Sequence, residues 1–151
     1  MIIRKTTEND VNLIYEMINE LAIYEKRPED MTGSTKMLKL WLFEKKIATA
    51  VIAEIEGKAI GYAIYYPIFA SFSMKANVHI EDLYIKPEYR GQGLGKKFFY
   101  ELLEMIKSEG YSKLEWSCLD WNTPAIEFYK KIDALQDTGR VYFEYQLKND
   151  L

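Results

Sequence analysis

The apolar positions of this chain change period several times, and each change marks an element. Ile2 to Lys5 is a short strand-like run. After it Val11, Ile14, Tyr15, Ile18, Leu21 and Ala22 recur at three- and four-residue steps, the stripe of an amphipathic helix. Thr6 or Thr7 stands where it can cap that helix, and Pro28 ends it beyond about Glu25. A shorter helix through Leu38 and Trp41 is predicted behind Ser34 or Thr35. Residues 47–56 and 58–68 are strand-like around a tight turn at Gly57, which predicts a hairpin. Residues 69–77 read as a loop and 78–85 as a strand stopped by Pro87. From Leu94 the helical period returns in Phe98, Phe99, Leu102, Leu103 and Ile106, up to Gly110. Residues 112–119 read as a strand, and Thr123 as the cap of a two-turn helix with Pro124 in first position. Residues 141–147 read as a last strand behind a turn at Gly139. Early helices, a hairpin and then strand–helix–strand–helix–strand predict a mixed α/β sheet protein. There are no repeats or linkers, so residues 1–151 are expected to form a single domain.

Composition narrows the class. With 48% hydrophobic and 28% charged residues the chain can build a core and stay soluble, which excludes disorder. No apolar run approaches the roughly 18 residues of a membrane span, and the first residues lack the apolar stretch of a secretory leader, so neither is expected. A lone cysteine, Cys118, excludes an internal disulfide, is expected in the core and favours a cytoplasmic location. One histidine and one cysteine leave no zinc set, and no metal is expected. A net charge of −3 without an evident basic face argues against nucleic acid and suits a cationic substrate.

The candidate chemistry lies in residues 80–106. Here a turn containing Arg90, Gly91, Gln92, Gly93, Leu94, Gly95 and Lys96 joins a strand's end to a helix's start. First-turn N–H groups of a helix have no partner within it, and glycines admit a bulky anion, so the turn reads as a phosphate cradle. A dinucleotide fingerprint needs glycine where Lys96 stands; a Walker A loop needs glycine at Arg90 and Ser or Thr at Lys97. Both readings fail, and Arg90-x-x-Gly93-x-Gly95 remains. Lys96 and Lys97 stand where a helix dipole disfavours cations, which an anion bound there would explain.

This turn, its strand and the later segment from Trp121 to Lys131 together resemble the GNAT acetyltransferases. The likeness is closest to their diamine (spermidine/spermine-type) and thialysine N-acetyltransferase branch and runs through nearly the whole chain. The resemblance implies a mixed, mostly antiparallel sheet of about six to seven strands flanked by about four helices. It implies direct acetyl transfer from acetyl-CoA to a small primary amine, and a homodimer. The pantetheine arm would pair with Leu83, Tyr84 and Ile85, and the pyrophosphate with residues 90–96. Asn122, with Thr123, Pro124 and Ala125, would contact the cofactor. Tyr129 matches the general acid and also touches the cofactor; Glu81 matches the acceptor-side base or ammonium ligand. Tyr24 and Glu25 match acceptor-side residues, with Glu29 or Asp30 nearby.

Glu81 and Asp82 are adjacent on a strand, so their side chains are expected on opposite faces and cannot form a shared carboxylate pair. His79 stands where the branch has an aromatic residue, so a packing role is expected. The chain departs from the branch in residues 72–77, which lack its Gly and Pro, and at Asp133, where glycine is usual. Two alternatives stay open: acetylation of a protein N-terminus or lysine, and an acyl-CoA-binding sensor without catalysis.

Overall fold

In the computed structural model, which describes residues 1–147, five strands form one sheet in sequence order. They are β1 (Ile2–Lys5), β2 (Thr49–Ile55), β3 (Lys58–Ala70), β4 (Lys75–Ile85) and β5 (Leu114–Trp116). Pairing is antiparallel from β1 to β4 and parallel between β4 and β5. Four α-helices accompany the sheet: α1 (Val11–Tyr24), α2 (Thr35–Lys39), α3 (Leu94–Ser108) and α4 (Thr123–Lys131). The chain divides into two compact units, Met1–Leu119 with the sheet and α1 to α3, and Asp120–Leu151 with α4. No helix among the described residues is long and apolar enough to cross a membrane.

Local chemistry sets the helix starts. Thr7 accepts from Asn9 N, and Asp10 reaches back to Thr7 N, so a capping box leads through one short turn into α1. Ser34 accepts from Met37 N at the head of α2. Between β2 and β3, Glu56 and Gly57 both take positive φ, the two-residue turn that matches strand twist. On one face of the sheet Ile52, Tyr62, Ile64 and Tyr84 pack with Ile14 and Met17 of α1. The other face meets α3, whose Phe98, Phe99, Leu102 and Ile106 are buried. Tyr65 reaches that side, donating to Glu109 at the end of α3.

Four expectations change. The loop at 69–77 shrinks to 71–74, because β3 and β4 stay paired out to Ala70 and Lys75. The strand at 112–119 keeps three residues, since only Leu114–Trp116 pair with Val78–Ile80. Cys118 falls beyond that ladder and is exposed, not in the core. The last strand at 141–147 is absent, and the sheet has five strands, not six or seven. Strand preference is realised by packing against neighbours. Here Val141, Tyr142, Phe143 and Tyr145 are all more than three-quarters exposed.

Candidate active site

The register between β3 and β4 breaks at one residue. Ile64 faces Asp82 and Tyr65 faces Ile80, which leaves Glu81 as an extra residue on β4 without an opposite partner. Such a β-bulge interrupts the alternation of side chains. Glu81 therefore stays on the face of His79, where Tyr66 donates to its Oε2 at 3.1 Å. Asp82 turns to the same face and accepts from the Tyr62 hydroxyl at 2.9 Å. Tyr62 and Tyr66 are four residues apart on β3, and so share that face, the face of α1. The expected separation of the two carboxylates is thus overturned: the bulge places both on one side of the sheet.

A third carboxylate joins them. Glu25 follows α1 and is half-buried; burial raises its pKa, Arg27 lowers it, and repulsion from Glu81 raises it further. Asp82 is pushed up to about 6, chiefly by burial, against the Tyr62 hydrogen bond and with repulsion from Glu81 and Glu25. Asp82 was not among the residues singled out in the sequence for the acceptor side, because the bulge has no mark in the hydrophobic pattern. Glu29 is exposed, and Asp30 is tied to the Arg27 guanidinium at 2.6 Å.

Beyond the bulge β4 has an open edge. Lys86 N donates to Ile60 O across the ladder. In an antiparallel pair the amides alternate, so Tyr84 and Asp82 also turn theirs to β3, while Leu83 and Ile85 turn theirs away. β5 reaches only as far as Ile80, so that outer edge lies outside the ladder. Ile85 O accepts from Arg90 Nε at 2.9 Å, which fastens the glycine turn to the strand end. The Arg90 guanidinium lies 4.5 Å from the centre of the Tyr24 ring and 5.4 Å from that of Tyr84. Tyr24 is thereby placed beside the turn.

The turn has the form of an anion cradle. Gly93 is the residue before α3 and takes φ +75, with open space where a β-carbon would point; Gly91 is alike at φ +74. No side chain caps α3, and among the described residues no acceptor meets the N–H groups of Leu94, Gly95 or Lys96. Gln92 Nε2 donates to Glu88 O and steadies the loop. A β-carbon at Gly93 would enter the space an anion needs, so the residues present fit the pyrophosphate of acetyl-CoA.

In the second unit, Asn122 and not Thr123 caps α4, accepting from Ala125 N at 3.4 Å; Thr123 and Pro124 follow as the first helical residues. Asn can occupy a cap with its side chain turned back on the helix, which moves the start by one residue. Tyr129 lies on α4 with its ring 5.5 Å from that of Phe128. Asp133, in place of the usual glycine, adopts φ +61, a left-handed conformation that aspartate tolerates better than most residues. The exposed Cys118 has its thiol pKa raised, by burial first and then by Glu25, which disfavours the thiolate a nucleophile needs.

A possible acetyltransferase from Clostridium difficile 630 superposes with a TM-score of 0.83 at 19% identity, covering 98% of each chain. The chain belongs to the acetyltransferase (GNAT) family, whose pattern matches residues 13–133, and is therefore a transferase. It is 36% identical over 143 residues to the thialysine N-epsilon-acetyltransferase of Sus scrofa, covering 89% of this chain and 84% of that one. It is 31% identical over 87 residues to the L-ornithine N5-acetyltransferase of Arabidopsis thaliana, covering 58% of this chain and 36% of that one.

Proposed function

We propose that this protein transfers the acetyl group of acetyl-CoA to a primary amine of a small acceptor that carries a second positive charge. The observation that supports it most is the carboxylate group at the bulge. Glu25, Glu81 and Asp82 crowd one face, and repulsion among them contributes to the raised pKa of Glu25 and Asp82. A cation relieves that repulsion, and perturbed carboxylates gathered beside an open strand edge are a functional-site signature. The relatives that acetylate thialysine and ornithine, amino acids with a side-chain amine, support the same acceptor class.

Acetyl-CoA supplies, when bound, a thioester that an uncharged amine attacks directly in a ternary complex. The chain's own residues do the rest. The N–H groups at the head of α3 and Lys96 hold the pyrophosphate, and the outward amides of Leu83 and Ile85 pair with the arm as an added strand does. Asn122 and the first turn of α4 contact the arm as well. Glu81 holds the acceptor's ammonium, and the proton that the nitrogen loses passes on to solvent. Tyr129 gives the departing sulfur its proton, a task suited to a hydroxyl that stays protonated at neutral pH.

We place both units in one acetyltransferase domain that acts as a homodimer in the cytoplasm; the family resemblance supports the dimer, and the lone cysteine the compartment. Incubation with acetyl-CoA and a panel of diamines, lysine analogues, monoamines and peptides, with thiol release followed, tests the reaction. Release with the first two classes supports the proposal. Release only with peptides moves the acceptor to a protein, and none with any acceptor leaves an acyl-CoA sensor.

A further inference from the structure

His79 was expected to pack, and besides packing on Tyr66 it faces two carboxylates. Its Nε2 lies 3.6 Å from Glu81 Oε2 and its Nδ1 4.0 Å from Glu115 Oε1, so each ring nitrogen faces a carboxylate. The ring stacks on Tyr66, with centroids 5.1 Å apart, and Tyr66 donates to the same Glu81 oxygen that His79 faces. The imidazole side chain is 23% exposed and that of Glu81 55%, so a path to solvent exists from both. At 3.6 Å the pair lies just beyond hydrogen-bond length, and a small side-chain rotation brings Nε2 within reach of the carboxylate.

We propose that His79 is the proton reservoir of the acceptor side, acting through Glu81. This rests on the acetyltransferase reading of the site. The step runs as a simple proton transfer. The acceptor's ammonium nitrogen loses a proton to the Glu81 carboxylate; Glu81 passes it to His79 Nε2, and the amine keeps the lone pair for attack. The imidazolium then stands between Glu81 and Glu115, stacked on Tyr66, and releases its proton to solvent. Nothing is oxidised or reduced. The chemical reason is a gap that the carboxylates leave: imidazole is the side chain whose ordinary titration falls between pH 5 and 8, where a relay must both take and give a proton. Charged His is a donor at both nitrogens, which is what two flanking carboxylates accept. The groups facing the ring are Tyr66 from β3, Glu81 from β4 and Glu115 from β5.

His79 is the only histidine of the chain, so its imidazole proton resonances are assigned without ambiguity. The test is to titrate it by NMR and to measure kcat/KM for a diamine against pH in the same buffers. The acid limb of the rate profile is expected to share the imidazole midpoint. His79→Phe keeps a ring against Tyr66, and should lower kcat by about 10²-fold, with KM for acetyl-CoA nearly unchanged and the limb displaced. In His79→Ala, added imidazole should restore part of kcat. An acid limb that does not track the imidazole, or a folded His79→Phe with wild-type kcat and profile, overturns the inference while acetyl transfer still stands. A wild-type protein that acetylates no amine at any pH removes both.

Discussion

Asp82 is the residue whose position has the clearest energetic consequence. An acid whose folded-state pKa is raised to about 6 holds its proton more tightly folded than unfolded. Its contribution to stability is full below the unfolded value of about 4 and is lost as pH rises through the folded value. Two pH units correspond to about 3 kcal/mol at most. Asp82→Asn keeps an acceptor for the Tyr62 hydroxyl and removes the charge. Urea denaturation from pH 4 to 8 is therefore expected to show the variant gaining on the parent as pH rises, by up to about 3 kcal/mol. Parallel curves would show that ionising Asp82 is not penalised in the fold. At the same scale, Tyr129→Phe keeps the ring beside Phe128 and should leave the melting temperature in place. Steady-state kinetics should show kcat down by about 10²- to 10⁴-fold, since the proposed role of the lost hydroxyl is to protonate the leaving sulfur. Near-parental turnover would assign that proton to another donor.

At the scale of elements, the glycine turn and β4 form the proposed cofactor side. Gly93→Val puts a branched side chain at φ +75 and into the open space before α3. Left-handed backbone in a β-branched residue lowers stability by about 1–3 kcal/mol, while the side chain, standing where the proposed pyrophosphate would sit, should lower CoA affinity by calorimetry in a protein that still unfolds cooperatively. Unchanged affinity would remove the turn from the cofactor site. This element was legible in the sequence because its signals are local: β-branched residues, then Pro87, then glycines, then a 3.6-residue stripe from Leu94. The carboxylate site was only half legible. Glu81 was singled out in the sequence, but the bulge that turns Asp82 to its side depends on how β3 is registered against β4, and no local pattern encodes that. Residues 141–147 failed in the opposite sense: a strong strand preference met no neighbouring strand to pair with. His79 was expected to pack, and it stacks on Tyr66; its approach to Glu115, thirty-six positions away, is brought about by the parallel β4–β5 ladder, which no local pattern encodes.

At the scale of the molecule, the account joins an anion cradle at the head of α3 to an acidic face at the bulge of β4. That arrangement favours an acceptor with two positive charges, one nitrogen to react and one to be held. A charge-assisted hydrogen bond contributes about 1.5–3 kcal/mol, which corresponds to a preference of about 10- to 100-fold. The most direct test is kcat/KM for a diamine and for a monoamine of similar length, in the parent and in Glu81→Gln. The parent should prefer the diamine by that factor, and Glu81→Gln should lose most of the preference while retaining more of its activity on the monoamine. Equal kcat/KM for the two amines in the parent, or equal losses on both in the variant, would contradict a cation-holding carboxylate site.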